Sequence, residues 1–170
     1  MKTIRIPLVA ALFAFAAAGL SAAETKSSLN TSDEKFVKAT GEAGMAEVKI
    51  ATLGTQKAER ADVKDFATML VNDHTKVNGE LNQLAQTKGV ELSAIVSADA
   101  ANTFKDLEQE SGAGFDKAFL SQMQDSHEKA ISSFEDAEKN AADGEVKSWA
   151  AKTLPGLRAH LDKIKELQGK

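Results

Sequence analysis

Between Val63 and Ala85 the apolar residues Val63, Phe66, Leu70, Val77, Leu81 and Leu84 recur every three or four positions, and His74 takes one place on the same face. That spacing is the period of an amphipathic helix with one stripe turned to a core. A polar side chain on such a stripe has to find a partner inside the fold. The pattern returns around His127, in FDKAFLSQMQDSHEKAISSFEDA, and around His160, in VKSWAAKTLPGLRAHLDKIKEL. These are the only three histidines in the chain, each near the middle of a long helical pattern. The expectation is a helical bundle with a polar site in its interior.

The expected fold is all-α, with helices over 32–58, 62–87, 115–142 and 145–168 in one bundle domain, 32–168. Thr31 and Glu34 form a T-x-x-E capping box for the first helix, in which each side chain would satisfy a free backbone N–H. Its stripe is Phe36, Ala43, Ile50 and Leu53, with Glu47 set within it. Gly41, Gly44 and Gly54 lower helix propensity there and would permit close approach of a neighbouring helix. Asp62 is placed to cap the second helix, and Lys88-Gly89 to end it with a cation and a glycine. The third helix would bury Phe119, Met123, Ala130, Phe134 and Ala137. The fourth, capped by Asp143, would bury Val146, Trp149, Leu157, Leu161, Ile164 and Leu167. Pro155, followed by Gly156, is expected to kink or interrupt it, because proline cannot bond to the carbonyl of Ala151. The long connection between the second and third helices carries a short extra helix, capped by Ser97 and running through Ala98, Ala101, Phe104 and Leu107. Ser111 to Gly114 then breaks the chain.

Met1 to Ala23 reads as a signal peptide: Lys2 and Arg5, an apolar run from Ile6 to Leu20, then the small residues Ser21-Ala22-Ala23. The run is short for a bilayer core of ~30 Å, which disfavours a membrane anchor. The expectation is a periplasmic or secreted protein with no transmembrane segment after cleavage. Residues 24–31 would form a polar, flexible leader. Removing the first 23 of 170 residues leaves 147, enough for one domain with a core, and takes the formal charge from −4 to −6 with the loss of Lys2 and Arg5. An acidic surface without a basic stripe argues against nucleic acid and anionic lipid as partners. Protein partners are not legible. With no cysteine, neither disulfides nor a lipid-bearing thiol is available, and packing alone has to hold the fold.

Residues equidistant from an antiparallel turn stand level, since both helices rise ~1.5 Å per residue. His127 and His160 are centred on the Asp143-Gly144 turn, and Glu47 and His74 on the break before Asp62. Four side chains near mid-helix, one from each helix, can therefore share a layer. Glu47, His74, His127 and His160 would suit one transition-metal ion, whether zinc, copper or non-haem iron. Asp73, Asp125 and Glu128 border the histidines and are candidates to hydrogen-bond behind them. Met45, Met69 and Met123 lie within about a turn of Glu47, His74 and His127, open either to soft ligation or to plain core packing. The residues three before the histidines are Val71, Gln124 and Leu157, so the Glu-x-x-His pair of di-iron bundles is absent. No phosphate-cradling loop and no convincing Ser-His-Asp arrangement is present.

The segments EVKIATLGTQKAERADVKDFATMLVNDHTKVNGELNQLA, GAGFDKAFLSQMQDSHEKAISSFEDA and AAKTLPGLRAHLDKIKEL resemble the bacterial family known as domain of unknown function 4142. The resemblance runs from about Phe36 to Leu167 and is carried by Asp73-His74, by F-D-x-x-[FY]-L at Phe115 to Leu120, and by L-P-x-L-x-x-H-L at Leu154 to Leu161. It implies a ferritin-like four-helix bundle, exported to the envelope, with no established activity. The family's histidines map onto His74, His127 and His160, and its first-helix glutamate onto Glu47. Members commonly have Asp directly before the second of these histidines, whereas Ser126 separates Asp125 from His127 here. Many carry the label "predicted outer membrane protein", yet no segment alternates in polarity as a lipid-facing strand does.

Three functions are open on this reading. One is a metal-binding or metal-buffering envelope protein linked to oxidative or metal stress. Another is a non-enzymatic structural or interaction module whose histidines form a buried hydrogen-bond network. The third, a redox metalloenzyme, has least in its favour without a second Glu-x-x-His set.

Overall fold

The computed structural model describes residues 27–170, so the expected signal peptide and the first leader residues lie outside the described part. Five helices follow in order: α1 (Thr31–Lys57), α2 (Ala61–Lys88), α3 (Ala98–Gln109), α4 (Gly112–Asn140) and α5 (Gly144–Gln168). No strand occurs among the described residues, and none of the described helices is long and apolar enough to cross a membrane. The fold is all-α, four long helices and one short.

α1 and α2 form one hairpin and α4 and α5 a second, with α1 packed on α4 and α2 on α5. Two buried aspartates set the direction of that packing. The carboxylate of Asp33, in the first turn of α1, accepts from the N–H groups of Ala142 and Asp143 in the α4–α5 turn, at 3.3 and 2.8 Å. Asp116, near the start of α4, accepts from Glu59 and Arg60 in the α1–α2 turn, at 3.0 and 2.9 Å. Each hairpin thus satisfies the free backbone donors of the other's turn. The start of α1 therefore lies at the end of α4, and the two run antiparallel. The chain after α2 has to return along the bundle to begin α4. α3 makes much of that return against α1 and α4, held by Leu107, by Lys49 over the Phe104 ring at 4.5 Å, and by Lys57 donating to the Glu108 carbonyl.

The hairpins are copies in outline. Asp33 and Asp116, Phe36 and Phe119, Val63 and Val146, Phe66 and Trp149, and Ala67 and Ala150 all stand 83 residues apart. So do the residues that close α1 and α4, Ala58 and Ala141. The matched positions on α2 and α5 are buried in both copies.

The core divides in two along the bundle axis. One cluster centres on Ile50, Leu70, Phe115, Phe119, Met123 and Ile164. The other centres on Val37, Leu81, Phe134, Val146, Trp149 and Leu157. On each long helix the gap between them is filled by one polar buried residue: Glu47, His74, His127 or His160.

Several local expectations are corrected. The cap of α1 is Asn30, whose Oδ1 accepts from Asp33 N–H at 2.8 Å, not Thr31; Glu34 pairs instead with Lys38. Asp62 does not cap α2, because its carboxylate is taken by the Arg60 guanidinium and Asp116 serves that turn from the other hairpin. α5 runs uninterrupted through Pro155. The proline is exposed while Leu154 and Leu157 are buried on either side of it. α4 begins at Gly112, at φ 58, so the Ser111–Gly114 break is confined to one residue of left-handed backbone. The end of the expected leader is docked: Leu29 is buried in the second core cluster and Ser28 N–H bonds to the Lys88 carbonyl. Phe36 is half-buried and Ala43 exposed, the α1 stripe running instead through Val37, Gly41, Gly44 and Glu47. Ser97, Asp143 and Gly89 cap as expected.

Candidate metal centre

His127 is 1% exposed on α4, and its Nδ1 lies 2.9 Å from the Met123 carbonyl one turn back. A carbonyl only accepts, so Nδ1 carries the proton and Nε2 presents a lone pair. On α5, His160 Nε2 lies 3.1 Å from Asp73 Oδ2 of α2. The carboxylate likewise accepts, so in the neutral ring the lone pair is on His160 Nδ1. These two lone-pair nitrogens face each other at 3.3 Å. His74 completes the group: its Nε2 is buried without a partner. One ligand atom from each histidine falls within 4.8 Å of the others. The ring centroids form a near-equilateral triangle with sides of 5.4, 5.5 and 5.4 Å.

Burial makes two of the imidazoles weak bases. His74 is held down at about 3 by loss of water and then by repulsion from His127 and His160; His127 is held at about 4 by loss of water, against the pull of the Met123 carbonyl and with added repulsion from His160. Neutral imidazoles are the form that ligates metal.

Glu47 stands apart from the triad. Its Oε1 lies 3.8 Å from His127 Nδ1, the nitrogen bonded to Met123 rather than the one turned to His160. Its other oxygen is buried without a partner, and burial pushes the carboxyl up to about 7 against the pull of the Ser126 hydroxyl. The structure therefore brings three of the four expected residues into one cluster and sets the fourth beside it. Asp73 is joined to His160 across the bundle rather than to its neighbour His74. Asp125 faces solvent and Glu128 bonds to Gln124, both outside the cluster. The Met123 carbonyl, which fixes the tautomer of His127, was not read from the sequence; its position four residues before a buried histidine was the available signal.

A cavity of about 710 Å³, open on one side, reaches all three histidines and Glu47 between the hairpins. Two of the three α1 glycines serve close approach. A Cβ on Gly44 would strike Asn78, and one on Gly54 would lie 2.8 Å from the Phe119 ring.

Among curated proteins no sequence matches the chain. Among solved structures, a DUF305 fragment from Deinococcus radiodurans superposes with a TM-score of 0.74 at 13% identity, covering 83% of this chain and 97% of that one. CopM in its Cu(I)-bound form superposes with a TM-score of 0.64 at 20% identity, covering 79% of this chain and 93% of CopM. In its Cu(II)-bound form the values are 0.66 and 18%, with the same coverage. At these identities the likeness is one of fold. The family model described as Domain of unknown function (DUF4142) matches residues 18–167, and the chain belongs to that family.

Proposed function

We propose that the protein binds a single copper ion, in the cuprous state, through His74, His127 and His160. The observation that carries the reading is the facing pair of lone pairs on His127 Nε2 and His160 Nδ1, 3.3 Å apart, with the unpartnered Nε2 of His74 beside them. Electron pairs brought this close in a buried layer repel, and a cation between them turns the repulsion into bonding. The donor set is three imidazole nitrogens, and Glu47, lifted to about 7, lies beside it. Burying one positive charge on neutral ligands costs less than burying two, which favours Cu(I) over Zn(II). Non-haem iron commonly takes a carboxylate in its ligand set, and none belongs to this cluster. CopM, similar in fold, has been solved with Cu(I), Cu(II) and Ag.

Binding and holding, rather than turnover, is the activity this supports. Met1 to Ala23 would direct it to the periplasm or outside the cell, where intact mass of the product should show a start at Ala23 or Glu24. The direct test is anaerobic Cu(I) titration against a competing chelator, with Zn(II) as rival. Tight Cu(I) uptake at one equivalent, lost in His127→Gln, is expected. No uptake would leave a triad that only hydrogen-bonds, and preference for Zn(II) would overturn the choice of metal.

A further inference from the structure

The repeat separation of 83 residues pairs every member of the triad with a position in the other hairpin. His127 corresponds to Gly44, His160 to Val77 and His74 to Leu157, while Glu47 corresponds to Ala130. All four counterparts line the cavity that opens on the histidines. The bundle thus has two equivalent halves at its middle layer, one furnished with imidazoles and the other with small or aliphatic side chains. The unfurnished half is part of the chamber.

We propose that this chamber receives a neutral small molecule with an apolar body, whose donor atom takes the coordination position that the triad leaves open on the metal. The inference rests on the metal reading above. Three nitrogen ligands leave a cuprous ion able to accept a fourth, and Glu47 sits by the far nitrogen of His127. Ala39, Ala46, Ile50, Val77, Ala130 and Leu157 supply an apolar lining, suited to an apolar body. The charged groups on the wall disfavour an anion. With Lys152 and Glu80 paired to each other at 2.9 Å, Glu42, Asp73 and Asp99 outnumber Lys76 and Lys129 there. A chamber of about 710 Å³ is within the range that holds a small organic ligand. Gly156 lies one turn before His160 on the chamber wall, and a Cβ there meets nothing within 4 Å.

The test uses tert-butyl isocyanide, a neutral donor with an apolar body and an infrared C≡N stretch that shifts on coordination to Cu(I). The full protein is first loaded with one equivalent of Cu(I), which reads the metal site by itself. Isocyanide is then titrated into wild type and into Gly156→Phe, whose ring would occupy the chamber without displacing a ligand. Expected are a coordinated band in wild type, at least tenfold weaker isocyanide binding in Gly156→Phe, and equal copper affinity in the two. Amide shifts at Gly44, Val77 and Leu157 should accompany the band. Failure to load copper would overturn the metal reading before any isocyanide is added. Copper loading with no coordinated band, or with an equal band in Gly156→Phe, would overturn this proposal alone. Azide competing more strongly than isocyanide would overturn the preference for a neutral ligand.

Discussion

His127 Nε2 and His160 Nδ1 face each other at 3.3 Å, while the far nitrogen of each ring is bonded to an acceptor, the Met123 carbonyl or the Asp73 carboxylate. The two rings sit on the two helices of one hairpin, and Asp73 of the other hairpin holds the far nitrogen of His160. His74 brings the other hairpin to the same point.

Copper should therefore stabilise the folded chain. At a free concentration a hundredfold above Kd the gain is about 2.7 kcal/mol, read as a rise in the denaturation midpoint. His127→Ala should abolish that rise and also lower the metal-free midpoint, because the ring is 1% exposed and its removal leaves a void. An equal rise in wild type and variant would remove His127 from the site.

Asp73 fixes the tautomer of His160 from a half-exposed position, its side chain 53% exposed. Asp73→Ala should leave the fold nearly intact and weaken metal binding about 10- to 100-fold. In the metal-free variant the nitrogen shifts of His160 should move from a single tautomer to a mixture. Unchanged shifts would show that Asp73 does not hold the ring.

Acid should destabilise the metal-free protein. His74 and His127, at about 3 and about 4, stay neutral in the fold while their unfolded counterparts protonate near 6.5. The unfolded state then binds more protons, and stability falls as pH drops from 6.5 toward 4. Glu47, at about 7 against an ordinary 4.5, works the other way: its contribution is lost as pH rises through that window. Two imidazoles outweigh one carboxyl, so Tm should decline below pH 6.5. Glu47→Gln should raise Tm above pH 7 and steepen the acid limb; the same profile in both proteins would mean that Glu47 does not titrate there.

Asp33→Ala and Asp116→Ala should each cost about 1–3 kcal/mol, since each strips two turn N–H groups of a buried acceptor. Urea midpoints within error of wild type would show that water replaces the carboxylate at no cost.

Gly54→Ala and Gly156→Ala should move stability in opposite directions. A methyl on Gly54 would lie 2.9 Å from the Ala67 Cβ and 2.8 Å from the Phe119 ring, a clash of about 1–3 kcal/mol. At Gly156 there is open space, and alanine gains up to about 1 kcal/mol in helix propensity. Destabilisation by both would show that α5 needs its glycine after Pro155.

The helices and the meeting of three histidines were legible because apolar spacing and distance from a turn are properties of the chain itself. Glu47 was placed at the right height, but height does not say which way a carboxylate turns, and it faces the outer nitrogen of His127. The capping errors have different causes: at Thr31 the local cap is one residue earlier, at Asn30, and at Asp62 the partner is distant. Local rules look for a partner within a turn, whereas α2 is served by Asp116, 56 residues from Arg60. The repeat was hidden because its identities are sparse and scattered, with positions such as Phe66 and Trp149 matched in burial and not in residue type. That the helix is not interrupted at Pro155 was not legible, because sequence shows the missing hydrogen bond but not the burial of Leu154 and Leu157 beside it.

The exchanged aspartates have a consequence for how the two halves recognise each other. Asp33 completes a turn that belongs to the second hairpin, and Asp116 one that belongs to the first. Neither hairpin is finished without its sibling, and the covalent thread between them, with Ile95 bare to solvent, carries none of these four bonds. The chain behaves as two subunits of an internal heterodimer, each carrying the key to the other's lock. One half supplies a single histidine and the other supplies two, so an ion bound at the proposed site would register that the correct pair has met.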